Sequence, residues 1–179
     1  MLTNIYDVIR SPKAAMARIA DEADIWKSLN VQGIILFINT LVNKYGATED
    51  EPLWLTVLMA VISIPVGLLI FFLVAGLTHG IARLMGGQGT WKKQFITLGY
   101  SMFPEILFIP IEVALLALGM ETAVIIAATI AFVWSLVLGV FAVSATQKLA
   151  IGRSCFILFA PSIIIIIIGA IYIFSVLGL

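Results

Sequence analysis

Two acidic residues, Glu105 and Glu112, lie inside a long apolar segment, where a carboxyl group can carry protons or cations across a membrane. Their spacing of seven residues places both on one face of a helix. No Lys or Arg lies at the depth of Glu105, and a carboxyl without a counter-ion in lipid is expected to be protonated. A small proton- or cation-coupled transporter or channel using these residues is therefore one hypothesis.

Prolines in the apolar segments offer a structural role for the same carboxyls. A proline inside a helix has no N–H, so the carbonyl four residues earlier loses its partner and needs another donor. A protonated Glu105 can donate to such a carbonyl near Pro65 or Pro161, in a central layer of three kinked helices. The structural role is favoured for Glu105, and both roles stay open for Glu112. The expected kink prolines are Pro65, Pro104, Pro110 and Pro161.

Catalytic and metal-binding chemistry is not expected. The chain has one histidine, His79, and one cysteine, Cys155, which cannot form a Cys/His metal cluster or an intramolecular disulfide. No Ser/His/Asp order, H-E-x-x-H, C-x-x-C or redox-cofactor motif is present. The glycines of residues 86–90 lack the spacing of a phosphate loop and are expected to turn the chain between two helices. We predict no catalytic residue, no metal, no cofactor and no enzyme.

The composition identifies an integral membrane protein. Of the 179 residues, 62% are apolar and 11% charged, and the mean hydropathy is +1.16. A soluble domain of this size could not bury so much apolar surface. The ten basic and ten acidic residues give no net charge, which argues against nucleic-acid binding.

Four segments are long and apolar enough to span a membrane, since a span needs about 20 apolar residues. A fifth, residues 28–42, is short and carries Asn30, Gln32 and Asn39. The fold is expected to be all-α, with a five-helix transmembrane domain over residues 28–179. Residues 1–27 are expected to form a cytoplasmic tail with a short interfacial helix that opens at Ser11-Pro12. The predicted spans cover residues 28–42, 53–82, 95–118, 123–146 and 154–179.

Basic residues support five spans and give the orientation. With five spans, nine of the ten Lys and Arg fall on one side and only Lys44 on the other. Because bases concentrate in cytoplasmic connections, the N-terminus is expected inside and the C-terminus outside. The residues expected to form contacts on the cytoplasmic face are Arg83, Trp91, Lys92, Lys93, Lys148 and Arg153.

Gly76 and Gly80 form a G-x-x-x-G pattern in the second predicted long helix. Small residues with this spacing let helix backbones approach closely in lipid. The pattern predicts close packing, either within the bundle or in a dimer, and the sequence alone does not choose between them. His79, between the two glycines, is expected to hydrogen-bond locally.

Three stretches together resemble the Yip-domain family, the Ypt/Rab-interacting membrane proteins. They are Ser11–Ala15, then His79–Gln94 leading to Gly99-Tyr100 and Pro104, and the fourth long helix running into Lys148–Ala150. The resemblance implies five membrane helices, a cytosolic N-terminus, an external or lumenal C-terminus and no catalytic residues. Eukaryotic members bind Rab-type GTPases and one another, and they usually carry a longer cytosolic N-terminal region. With a short one, this chain is more similar to the prokaryotic members.

The predicted function is therefore that of a non-catalytic, Yip-like scaffold or membrane-organising and trafficking-related factor in a prokaryotic cell membrane. Its expected partners are membrane lipids, further copies of itself and an unidentified membrane or cytoplasmic protein. The transporter or channel using Glu105 and Glu112 is the alternative.

Overall fold

The computed structural model describes residues 10–22, 24–45 and 52–177, and these residues contain helices and turns but no strand. Seven helices follow in chain order: α1 (Pro12–Glu22), α2 (Ile25–Tyr45), α3 (Leu53–Leu84), α4 (Trp91–Ser101), α5 (Phe103–Ala117), α6 (Glu121–Gln147) and α7 (Ile151–Leu177).

Five helical segments of the described residues are long and apolar enough to cross a membrane: Ile25–Val42, Leu53–Leu84, Trp91–Ala117, Glu121–Gln147 and Ile151–Gly169. Their outward side chains are apolar and exposed, Leu69 and Ile125 among them, as expected for helices bordered by lipid. The all-α fold with five membrane helices is confirmed.

The third span is interrupted at Met102, which separates α4 from α5. Pro104 explains the break, because it cannot donate to the Tyr100 carbonyl and is tolerated in the first turn of a new helix. By contrast, α3 and α7 continue through Pro65 and Pro161. Pro110 lies inside α5.

The short helix α4 occupies the centre of the bundle, in place of the expected layer of three proline-containing helices. It contacts α1, α2, α3, α5 and α6, and its residues 94–99 are all buried. The other helices surround it, with α2 packed on α3, α3 on α7, and α6 on both α5 and α7.

Polar side chains join α2 to α4. Ser28 Oγ donates to the Ile96 carbonyl at 3.2 Å, and Gln32 Nε2 donates to Ser28 Oγ at 3.1 Å. Gly99 lies directly against them, since a Cβ added there would overlap Ser28 Oγ and Gln32 Nε2. Ser28 and Gln32 therefore face the bundle rather than lipid, whereas Asn30 is exposed.

Helix α1 begins at Pro12, directly after Ser11, as the pattern predicts. Its apolar face is buried: Met16 is fully inaccessible, and Ala15, Ile19 and Ala20 are nearly so. This face packs against α6 and α4, so α1 covers one end of the bundle with its apolar side on protein.

Candidate functional site

The end of the bundle beneath α1 is built from the stretches that carry the family resemblance. The loop after α3 lies on the end of α6, where the Gln88 N–H donates to the Gln147 carbonyl at 3.1 Å. On the other side, Lys93 Nζ of α4 pairs with Asp21 of α1 at 2.8 Å. We call this region the junction; it comprises His79, residues 85–90, Gln94, Thr97, Thr146 and Gln147.

Gln147 is the centre of the junction, and its side chain is fully buried. Its Nε2 donates to His79 Nδ1 at 2.9 Å and to Gln94 Oε1. Its Oε1 accepts the Gly89 N–H at 3.0 Å. One amide therefore joins α3, α4, α6 and the loop. His79 is expected from the sequence to hydrogen-bond locally, but it instead bonds to a residue 68 positions along the chain, on another helix.

The glycines of the loop are required by close approach as well as by the turn. Gly86 has φ +88°, in the left-handed region that favours glycine. A Cβ on Gly87 would lie 2.5 Å from Gln147 Oε1, and one on Gly89 would lie 2.8 Å from the Thr146 carbonyl carbon. The Gly87 N–H donates to the Ala82 carbonyl at 2.8 Å, so the N–H groups of residues 87–89 all bind protein acceptors rather than a phosphate.

A second contact ties α4 to α6 within the junction. The hydroxyls of Thr97 and Thr146 lie 2.9 Å apart, and both residues are buried. Most polar groups of the junction thus bond to one another, although Gln94 Nε2 is buried without a hydrogen-bond partner among the described residues. This bonding favours a structural role over acid–base or nucleophilic chemistry.

Basic side chains surround the junction. Lys93 holds the pKa of Asp21 below its usual value, mainly through the hydrogen bond and then through its charge, and the charge of Lys148 acts in the same direction. Asp21 is fully exposed, so its pair with Lys93 is screened by water and adds little stability. Arg83 donates from Nη1 to the Gly87 carbonyl at 3.1 Å, and the remaining predicted contact residues Lys92, Lys148 and Arg153 are exposed.

A model of the Yip1 domain matches residues 6–173 of the chain, and thus covers the junction and all five spans. The chain belongs to the Yip1 domain family. Comparisons with curated proteins and with solved structures found no match.

The intramembrane acid of this Yip1 domain has a partner on another helix. Asn39 Nδ2 of α2 donates to Glu105 Oε2 of α5 at 3.2 Å. The contact links α2 to α5, so the observed partner is a side-chain amide rather than the carbonyls near Pro65 or Pro161. Glu112, two turns further along α5, is half-buried.

The glycine pair of this Yip1 domain does not pack against another backbone of the described chain. A Cβ on Gly76 would meet Trp91 Nε1 at an ordinary distance of 3.9 Å, and one on Gly80 would meet nothing within 4 Å. Closely packed helical glycines lie elsewhere, at Gly67 against Leu36 and at Gly139 against Leu158. No part of the described chain therefore packs closely against Gly80.

Trp91 belongs to an aromatic cluster that attaches α4 to α3. Its ring lies 4.8 Å from that of Phe72 and 5.2 Å from that of Phe95, and Phe71 contacts Phe95 edge to face at 5.1 Å. The predicted site residues therefore form two groups. Trp91 and the basic side chains lie at the junction, and Glu105 and Glu112 lie beyond the helix break.

Proposed function

We propose that this Yip1 domain protein acts without catalysis, as a membrane scaffold that binds another protein at the surface around the junction. The observation that carries the proposal is the convergence of three separated family stretches at one end of the bundle. Most of their buried polar groups bond to one another, while Lys92, Lys148 and Arg153 remain exposed. A hydrogen-bonded, buried core surrounded by exposed charged side chains suits the binding of another protein better than it suits catalysis.

The proposed orientation places the junction in the cytoplasm of a prokaryotic-type cell. Nine of the ten Lys and Arg belong to the N-terminal segment and the two connections at the junction, and this bias supports a cytoplasmic side. Residues 1–27 then form the cytoplasmic tail, and residues 28–179 the membrane domain.

Reporter fusions test this topology. Fusions at Leu179 and Ala47, which lie outside the described residues, are expected to report an external location, and a fusion at Gln88 a cytoplasmic one. The reason is that five spans put the two termini on opposite sides. A cytoplasmic reading at Leu179 would contradict the five-span topology.

Site-specific photo-crosslinking in intact cells tests the scaffold proposal. A photoreactive residue at Lys92 is expected to yield a discrete adduct with another protein, and the same residue at the exposed Glu121, at the opposite end, is not. Arg153→Glu is expected to reduce the Lys92 adduct at least fivefold, because charge reversal on a recognition surface repels the partner (roughly 1 kcal/mol or more). Equal adducts from both positions, or no effect of Arg153→Glu, would refute the proposal.

The transport alternative receives less support from the contacts. Glu105 binds Asn39, an uncharged amide, which supports a role in joining α2 to α5. If Glu105 and Glu112 carried protons or cations, Glu105→Gln would reduce flux into proteoliposomes. A structural Glu105 leaves wild type and variant equally inactive in that assay.

A further inference from the structure

One face of α3 brings several hydrogen-bond donors to the junction end of the membrane. Gly76, Gly80 and Arg83 follow one another at spacings of four and three residues, and His79 lies four residues before Arg83, so the four residues share a helix face. Trp91 lies on the same face, with its ring against Phe72 and its Nε1 near Gly76. We call these five residues, Gly76, His79, Gly80, Arg83 and Trp91, the α3 notch.

Two contacts at His79 Nδ1 require opposite tautomers, and the shorter one decides between them: Gln147 Nε2 lies at 2.9 Å, while Gln94 Oε1 lies at 3.4 Å. The Gly89 N–H donates to Gln147 Oε1, so the other atom of that amide, Nε2, must face the histidine. An amide Nε2 only donates, which makes His79 Nδ1 the acceptor. The neutral imidazole therefore carries its proton on Nε2, where it has no partner among the described residues.

Two further donors of the α3 notch are available. The Trp91 indole N–H has no hydrogen-bond partner among the described residues, although the ring itself is well packed. Arg83 donates one of the five N–H groups of its guanidinium to the Gly87 carbonyl, which leaves four N–H groups for a ligand. Gly80 presents no side chain, and nothing lies within 4 Å of the position of its Cβ, so a ligand can reach these donors.

The order of these groups matches the cross-section of a membrane interface. Along α3 the face changes from Phe72, through the amphipathic Trp91 and then His79, to the cationic Arg83. Gly76 and Arg83 are about 10 Å apart along the axis, which covers the roughly 5–8 Å of one headgroup layer and reaches into the hydrocarbon beside it. A ligand that fits is an anion with several oxygen acceptors, attached to an apolar tail.

We propose that the α3 notch binds the headgroup of an anionic phospholipid, with Arg83, His79 Nε2–H and the Trp91 indole N–H as donors to its phosphate and ester oxygens. The acyl chains then lie along the apolar surface beside Phe72. This inference rests on the proposed function, since it names a ligand for the same surface of the protein. It explains why Gly80 is open to lipid instead of packing against another helix of the described chain.

Lipid binding by purified, delipidated protein tests the inference. Dioleoylphosphatidylglycerol is titrated in mild detergent and bound lipid is counted by native mass spectrometry, with dioleoylglycerol as the matched lipid without phosphate. Wild type is expected to retain the phospholipid and not the diacylglycerol. Arg83→Gln is expected to weaken binding roughly tenfold or more, and Trp91→Phe about threefold to tenfold, because each removes one donor and keeps most of the packing.

Gly80→Leu is the sharpest variant, since it places a side chain in the α3 notch at a position where a Cβ meets no atom of the described residues within 4 Å. We expect it to abolish binding while the unfolding midpoint stays unchanged. Gly152→Leu is its matched control, because Gly152 is also helical and open, and Arg153→Gln is the control for Arg83→Gln. Both controls are expected to bind within about twofold of wild type, a change well below the loss of one hydrogen bond to a charged group.

Three results would overturn the inference. Normal binding by Gly80→Leu and Arg83→Gln would show that the lipid does not occupy this face. Displacement of the lipid by millimolar inorganic phosphate would assign the donors to a soluble anion. Loss of a cross-linked dimer in Gly80→Leu, with lipid binding intact, would make the face a dimer contact. If the Lys92 adduct persists in any of these cases, the scaffold proposal still holds. A failure of the lipid-binding inference can therefore be distinguished from a failure of the scaffold proposal.

Discussion

Gly89→Ala is expected to destabilise the protein by roughly 3 kcal/mol, at the upper end of the range for inserting a methyl group into a tightly packed site. The new Cβ would lie 2.8 Å from the Thr146 carbonyl carbon and closer still to its oxygen. Both atoms are backbone at the end of α6, so no flexible side chain can move aside. The loop must retreat, and the Gly89 N–H then loses Gln147 Oε1. Thermal unfolding in detergent measures the loss.

The matched control for that variant is Gly80→Ala. Gly80 is also in the family stretch His79–Gln94, but its Cβ would meet nothing, and alanine is the better helix former. Its unfolding midpoint is expected to be equal to or slightly above that of wild type. If Gly89→Ala were as stable as Gly80→Ala, the close approach of the loop to α6 would be wrong.

The number and class of helices could be predicted because lipid imposes one simple rule on sequence. An apolar run of about 20 residues has few alternatives to a spanning helix. The weak first span shows the limit of that rule. Gln32 and Asn39 reduce its hydropathy, yet these are the residues that bind Ser28 and Glu105 inside the bundle. The polar residues that weaken the prediction of this span are therefore the ones that pack it against the rest of the bundle.

The junction could be predicted only in part. Single glutamines such as Gln94 and Gln147 have no motif, and near the ends of membrane helices they are typical of residues facing headgroups. Their contact depends on how far α4 and α6 overlap in three dimensions, which no local pattern encodes. The spacing of Gly87 and Gly89 correctly indicated a turn, but the closeness of Thr146 and Gln147 became visible only in the structure.

Glu105→Ala is expected to cost about 2 kcal/mol of unfolding free energy, through the loss of side-chain volume and of the acceptor for Asn39. Glu105→Gln is expected to lie within about 0.5 kcal/mol of wild type, since its amide oxygen can still accept from Asn39 and no charge is lost if the carboxyl is neutral. Unfolding in mixed micelles with increasing denaturing detergent compares the three proteins.

A double-mutant cycle with Asn39→Ala separates the hydrogen bond from the loss of volume. If the hydrogen bond between the two side chains stabilises the protein, Asn39→Ala is expected to cause little further loss of unfolding free energy in the Glu105→Ala background. The coupling free energy is then expected to be roughly 0.6–1.7 kcal/mol, from the average to the maximum found for interhelical hydrogen bonds in membranes. The exposed Thr129, which donates only to Ile125 of its own helix, supplies the control Thr129→Ala, with no coupling expected.

A Glu105→Gln variant as unstable as Glu105→Ala would contradict the structural role of Glu105. It would mean that the charge of the carboxylate is needed, and the carboxylate would then have to be stabilised by water or an ion rather than by Asn39 alone.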